Sequence, residues 1–132
     1  MRRKYADPPI VEAVCEFRLT PETPWDLTIP GLFYEQVKET FPHREQRVVQ
    51  EVVFKQEPHG IQQQIQARER ILLFTKDRKQ LLQLGTRLLA ISALKPYLGW
   101  EIFKQSIEQA WNVLQQISEI KGIDRIELRY IN

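Results

Sequence analysis

Two glutamates near the start of this chain could serve acid–base chemistry. Glu12 and Glu16 fall within residues 10–19, where charged and apolar residues alternate as they do in a half-buried strand. General acid–base catalysis by paired carboxylates needs the two groups close together, in environments that push their pKa values apart. Four residues of a strand span about 13 Å, which is too far for direct coupling. We therefore predict that these glutamates are not a catalytic pair.

A second strand-like segment near the end of the sequence repeats the pattern. In residues 123–131, Glu127 and Arg129 lie on the side opposite three apolar residues. If the two segments are neighbouring strands, their charged groups could pair across the ladder, each pair contributing about 0.2–1 kcal/mol. Otherwise the charged face is open and available to a partner. The candidate interaction residues are Glu12, Glu16, Arg18, Glu127 and Arg129.

Other catalytic, metal-binding and cofactor chemistry has no positive support. His43 and His59 lie in predicted turns without the cysteine or acidic neighbours of a metal site. The five glycines are isolated, so no phosphate-binding loop is present, and no serine has the flanking glycines of a nucleophile elbow. Cys15, the only cysteine, falls on the apolar side of the first strand and is predicted to be a core residue. We predict no metal, no cofactor and no enzymatic activity.

Basic residues in the middle of the chain suggest a different kind of site. If the strands bring them together, they would form a positive rim able to hold the phosphates of a nucleic acid or nucleotide. Against this, the formal net charge is only +2, and exposed aromatic residues for base stacking are not interleaved with them. The alternative candidates are Arg68, Arg70, Arg78, Lys79 and Arg87.

The periodicity of the sequence predicts the elements that position these residues. Pro30 and Pro42 bracket a short helix, and apolar residues at three- and four-residue spacing predict a second helix within 96–121. Gly122 is placed to end that helix with a left-handed cap. Turn-forming residues separate four further predicted strands, at 47–56, 61–67 running on toward 75, 80–84 and 88–93.

The predicted order is strand, helix, four strands, helix, strand, which indicates one α+β domain over residues 1–132. We expect a curved antiparallel sheet of five or six strands with two helices packed on one face. By analogy this arrangement is TATA-binding-protein-like or helix-grip-like, and the analogy assigns no function. No apolar run approaches the roughly 18 residues of a membrane span, so we predict a cytoplasmic protein that does not enter membranes.

Four segments resemble those of a sporadically distributed family of uncharacterised prokaryotic proteins about twice this length. The matching segments are DPPIVEAVCEF at 7–17, WDLTIPGLFY at 25–34, LKPYLGWE at 94–101 and RYIN at 129–132. The resemblance covers only the amino-terminal half of such proteins, so it implies a truncated chain or a stand-alone half. It implies no activity and no catalytic residues.

These observations favour a non-catalytic interaction module that binds protein, or a second copy of itself as a homodimer, through the charged sheet face. Binding of nucleic acid or a nucleotide ligand by the basic residues is the alternative hypothesis.

Overall fold

The computed structural model describes residues 12–131, and within them the predicted order of elements is confirmed. The predicted strand start at Ile10, with Val11 on its apolar side, lies outside the described residues. The elements are β1 (Glu12–Leu19), α1 (Ile29–Val37), β2 (His43–Glu57), β3 (Gly60–Phe74), β4 (Gln80–Gly85), β5 (Leu88–Ala93), α2 (Trp100–Ile117) and β6 (Ile123–Ile131).

The six strands form one antiparallel sheet in the order β2-β3-β4-β5-β1-β6. The sheet curls into a half-barrel, as the prediction of a curved antiparallel sheet anticipated. β1 lies between β5 and β6, so the first and last strands of the chain are neighbours. Their charged residues therefore share one region of the sheet.

Both helices pack on one face of the sheet because the strands present alternate apolar residues there. Cys15 and Phe17 of β1 share a buried cluster with Phe33 of α1 and Leu114 of α2. Trp111 of α2 stacks on Phe17 with ring centroids 4.7 Å apart. The amphipathic pattern of the second predicted helix is thus confirmed.

The ends of α2 differ from their prediction. The helix begins at Trp100 and ends at Ile117, so Gly122 is not its cap and does not have a left-handed backbone. A Cβ atom on Gly122 would lie 3.0 Å from Cγ2 of Thr20. Close approach of two backbone segments, rather than a helix cap, explains the glycine.

β2 and β3 extend beyond the rest of the sheet. They pair with each other over 15 residues, whereas β4 pairs only with the last four residues of β3. Residues 47–70 therefore form a two-stranded projection, which we call the arm. Its tip is a tight turn at Pro58 and His59, and Gly60 follows with φ of 132°, a value that favours glycine.

Candidate interaction surfaces

The charged residues of β1 and β6 lie together on the sheet face opposite the helices. Glu16 is directly across from Glu127, and Arg18 is directly across from Arg125, positions at which like charges repel. The ion pairs run along the strands instead. Arg18 Nε is 3.0 Å from Glu16 Oε2, Arg125 Nη2 is 3.1 Å from Glu127 Oε2, and Arg129 Nε is 3.2 Å from Glu127 Oε1. One diagonal contact of 3.9 Å joins Arg125 to Glu16 across the ladder.

Glu51 of β2 extends this group across the curled sheet. Its Oε1 lies 2.6 Å from Arg70 Nη2 and 3.9 Å from Arg18 Nη2, and its Oε2 lies 4.0 Å from Arg68 Nε. Three strands separate β2 from β1 in the sheet order, so only the curl brings these residues together. We call the resulting set the arginine–glutamate network, which consists of Arg18, Arg68, Arg70, Arg125, Arg129, Glu16, Glu51 and Glu127.

The network is partly removed from water. The Glu16 side chain is 9% exposed and that of Arg70 is 14% exposed, whereas Arg129 is 55% exposed. The expectation that the charged face of β1 and β6 is exposed to solvent is therefore wrong at Glu16, which is buried within the curl. Glu12 lies on the same face opposite Ile131, and among residues 12–131 no basic group forms an ion pair with it. Five arginines and three glutamates leave the network with a formal excess of two positive charges.

The basic residues predicted as a single rim are divided between two places. Arg68, Arg70 and Arg87 line one cleft beside the turn between β4 and β5. Arg78 and Lys79 lie in the turn between β3 and β4, at the other end of these strands, where the Arg78 guanidinium stacks over an aromatic ring of β3. Only Arg68, Arg70 and Arg87 are therefore placed to bind one ligand together.

That cleft has a volume of about 800 Å³ and lies between the arm, the β4–β5 turn and the segment joining β1 to α1. Its size falls in the range of about 300–1,000 Å³ typical of small-molecule sites. Trp25 and Leu27 supply apolar surface to its wall, and Glu51 supplies a carboxylate. Its lining includes four arginines, Arg18, Arg68, Arg70 and Arg87.

Arg70 and Arg87 are fixed in this cleft by hydrogen bonds. Arg70 Nη2 donates to Glu51 and Nη1 donates to Gln83 Oε1 at 3.4 Å, but Nε has no acceptor among the described residues. Arg87 Nε donates to the carbonyl oxygen of Thr23 at 2.7 Å. Two guanidinium groups are therefore positioned in the cleft before any ligand enters.

The arm carries exposed apolar side chains along the side that faces the same way as the helices. Their exposed fractions run from 50% to 73%, values more typical of polar surface residues. Glutamines and one alanine occupy the other positions between residues 50 and 67 on this side, so it carries no charge there. We call this surface the apolar strip, defined as Val48, Val52, Phe54, Ile61 and Ile65.

Sequence reasoning missed the apolar strip. The alternation in β2 and β3 indicates half-buried strands, and nothing in it tells which part of the sheet the helices cover. The available signal was the length of the two segments, because a hairpin longer than its neighbouring strands must extend past them. Gln62, Gln64 and Gln66 lie on the opposite side of the arm from the strip.

The remaining chemistry-bearing residues stay isolated. His43 begins β2 and His59 lies at the tip of the arm, and within residues 12–131 no three potential ligands group together for a metal ion. Cys15 is buried, and this burial raises the pKa of its thiol to about 11. Neither of the two described helices combines the length and apolarity needed to cross a membrane.

Comparisons with known proteins add no relative to this chain. No protein-family model matches it, and neither the curated proteins nor the solved structures contain a significant match. The structure is that of an α+β protein with a curled six-stranded antiparallel sheet. The resemblance to a family of uncharacterised prokaryotic proteins stays a prediction.

Proposed function

We propose that this protein is a non-catalytic interaction module that binds a protein partner through the apolar strip of the arm. The observation that carries the proposal is five large apolar side chains, each at least half exposed, on one side of a two-stranded projection. Contiguous apolar patches of about 300–600 Å² on a monomer are often functional. A two-stranded ribbon alone is only marginally stable in water, so a partner that covers the strip would stabilise the arm.

This proposal moves the binding surface away from Glu12, Glu16, Arg18, Glu127 and Arg129. Four of these residues already pair with one another or with neighbouring charges, so a partner that covered them would have to replace existing ion pairs. The strip has no such internal partners to lose. Its side chains fit an uncharged, apolar strand or helix face, including that of a second copy.

We infer a cytoplasmic location for the interaction. Support comes from the single cysteine, which is buried and cannot form an internal disulfide.

A matched set of arm variants tests the proposal. Phe54→Thr combined with Ile65→Thr makes the strip polar with a residue that still favours strands. Val53→Thr makes the same change on the opposite side of the arm, next to Phe54, and is the control. Proteins retained from an extract of the source cells by each immobilised variant are quantified by mass spectrometry, with circular dichroism to confirm folding.

We expect the unchanged protein and Val53→Thr to retain the same partner. The double variant should retain at least about tenfold less of it, which corresponds to a loss of about 1.4 kcal/mol in binding free energy. Hydrogen exchange should then show protection of residues 48–54 and 61–65 when that partner is bound. Equal retention by all three proteins would contradict a role for the strip.

A second function is favoured by the arginines of the cleft: binding of a phosphate-bearing ligand such as a nucleotide or short single strand. Arg18, Arg68, Arg70 and Arg87 line the cleft together with three carboxylates, those of Asp26, Glu51 and Glu69, which leaves its lining with one formal positive charge. Trp25 in the same cleft offers a surface on which a base could stack.

Fluorescence anisotropy of a labelled oligonucleotide and of a labelled nucleoside triphosphate tests this second function. Arg68→Gln, at a half-exposed position in the cleft, should weaken binding, and Lys79→Gln at the distant turn should leave it unchanged. Affinity should fall as salt rises, because phosphate contacts release counterions. Binding that does not depend on salt concentration, or that both substitutions weaken equally, would count against the cleft as the binding site.

A further inference from the structure

We propose that β6 pairs edge to edge with β6 of a second copy, which would join two six-stranded sheets across a two-fold axis. The inference rests on the proposed role as an interaction module, but it concerns the edge of the sheet opposite the arm. β6 pairs with β1 on one side, and among residues 12–131 no strand lies along its other side. A symmetric pair of such edges is the simplest closed arrangement in which the unpaired backbone N–H and C=O groups of both β6 strands form hydrogen bonds.

From Arg125 onward, β6 lacks three of the features that usually protect an edge strand: prolines, bulges and charges on the side that faces the core. Natural edges carry prolines, bulges or inward-pointing charges that prevent pairing. In β6 the only irregularity lies at its beginning, where Asp124 has no partner in β1. Residues 125–131 are regular and contain neither proline nor glycine, and their helix-side positions are all apolar.

The charges of β6 and the irregularity at Asp124 together favour one register for this pairing. With Leu128 on the two-fold axis, Glu127 of each copy lies across from Arg129 of the other, which gives two opposite-charge pairs. Edge pairing does not cover the sheet face, so these pairs add to the 3.2 Å contact between Arg129 and Glu127 within each chain. With Glu127 on the axis, it would face itself and Arg125 would face Arg129, so all three of these charged residues would be repelled. With Ile126 on the axis, Arg125 would lie across from Glu127, but Asp124, which has no partner in β1, would have to pair with Leu128.

The same register covers apolar side chains that one copy leaves in water. Ile126, Leu128 and Tyr130 lie on the helix side of β6, yet they are 56%, 44% and 42% exposed. In the pair, Leu128 would meet Leu128 of the second copy, and Ile126 would meet Tyr130. Tyr97 already packs edge-on against Tyr130 at 5.9 Å between ring centroids, so one side of this contact is held in place.

Charge exchange between copies tests the register. Glu127→Lys alone would place Lys across from Arg129 twice, and Arg129→Glu alone would place Glu across from Glu127 twice. Each should raise the dissociation constant of the dimer by at least about tenfold. A mixture of the two variants restores both opposite-charge pairs between unlike chains, so it should form heterodimers with the affinity of the unchanged protein. A purely structural role for either residue would not be rescued in this way.

Disulfide formation tests the geometry independently. Because Leu128 lies across from Cys15 within one chain, the substitutions are made in a Cys15→Ala background. Leu128→Cys places two cysteines across the axis, where directly opposed Cβ atoms lie about 4.5–5.5 Å apart. A small approach of the two strands brings them to the roughly 3.5–4.5 Å of a disulfide, so this variant should cross-link on mild oxidation. Ile126→Cys is the control, because its two copies would lie about 13 Å apart along the strands.

Analytical ultracentrifugation up to about 100 µM covers the range of weak interfaces. A dimer that Glu127→Lys dissociates, that the mixture restores and that Leu128→Cys traps supports the inference. A monomer throughout, open-ended oligomers, or equal cross-linking by both cysteine variants would overturn it. The Phe54→Thr and Ile65→Thr variant should still dimerise, and Glu127→Lys should still retain a partner of the arm, so failure of one proposal is distinguishable from failure of the other.

Discussion

Replacement of Glu51 by glutamine should destabilise the protein more than removal of the arginine it binds. Glu51 Oε1 lies 2.6 Å from Arg70 Nη2, and the Arg70 side chain is only 14% exposed. Glutamine keeps the shape of the side chain, but it leaves the Arg70 charge without a carboxylate among the described residues. Breaking a buried ion pair costs about 3–5 kcal/mol. Since Glu51 itself is 23% exposed and water can reach the site, we expect a loss of about 2 kcal/mol.

Arg70→Met is the matched variant. Methionine retains the apolar length of the arginine side chain, and it removes both the charge and an Nε that has no acceptor among residues 12–131. Glu51 would keep Arg18 at 3.9 Å and Arg68 at 4.0 Å as neighbours. We therefore expect a loss of about 1 kcal/mol or less.

Urea unfolding followed by circular dichroism measures both free energies, and equal slopes would confirm that the unfolded states are comparable. The double variant completes a thermodynamic cycle, in which the two losses should not add because the residues share one contact. If Arg70→Met costs as much as Glu51→Gln, the reasoning from an uncompensated buried charge is refuted.

Three further predictions concern the buried side of the sheet and its connections. Burial raises the pKa of the Cys15 thiol from 9.0 to about 11, so the thiol ionises at lower pH in the unfolded chain than in the folded one. The free energy of unfolding should therefore be unaffected below about pH 9 and should fall by at most about 3 kcal/mol as the pH rises through 11. Thermal melts at increasing pH should show this loss, and Cys15→Ala should lack it. Thr23→Val should cost about 1–2 kcal/mol in urea unfolding, because the fully buried Thr23 hydroxyl accepts a hydrogen bond from the Lys121 N–H at 3.1 Å; Thr23→Ser should cost less. Gly122→Ala should lower stability by about 1 kcal/mol through contact with Thr20 Cγ2, and Thr20→Ser, which removes that methyl group, should recover most of the loss.

The central part of the fold was predictable because each local pattern had one physical solution. Cys15 and Phe17 alternate with charged residues, so their strand had to bury one side against something apolar. The helix around Phe103 and Leu114 supplies that apolar surface at a spacing no strand could use. Gly122 shows where the same reasoning fails, since a glycine near a helix end can serve a close backbone approach instead of a cap.

The contacts of the charged residues were not predictable, because they depend on register and curvature. Glu16 and Glu127 lie directly opposite each other because of the register in which β1 pairs with β6, and the sequence does not specify that register. The contact between Glu51 and Arg18 requires the sheet to curl across three intervening strands. Local periodicity carries no information about either.

The network and the apolar strip are physically linked through Glu51, which lies within the arm. Its contact with Arg18 connects the arm to β1, and its contact with Arg70 joins the two strands of the arm next to the sheet, whereas the strip lies on the arm's other side. The charged residues can therefore fix the direction of the arm without contacting a partner. On this view Glu51→Gln should weaken partner retention by loosening the arm, while Phe54→Thr with Ile65→Thr should weaken it with no change at the network, and hydrogen exchange at residues 47–51 in the free protein should rise only in the first variant.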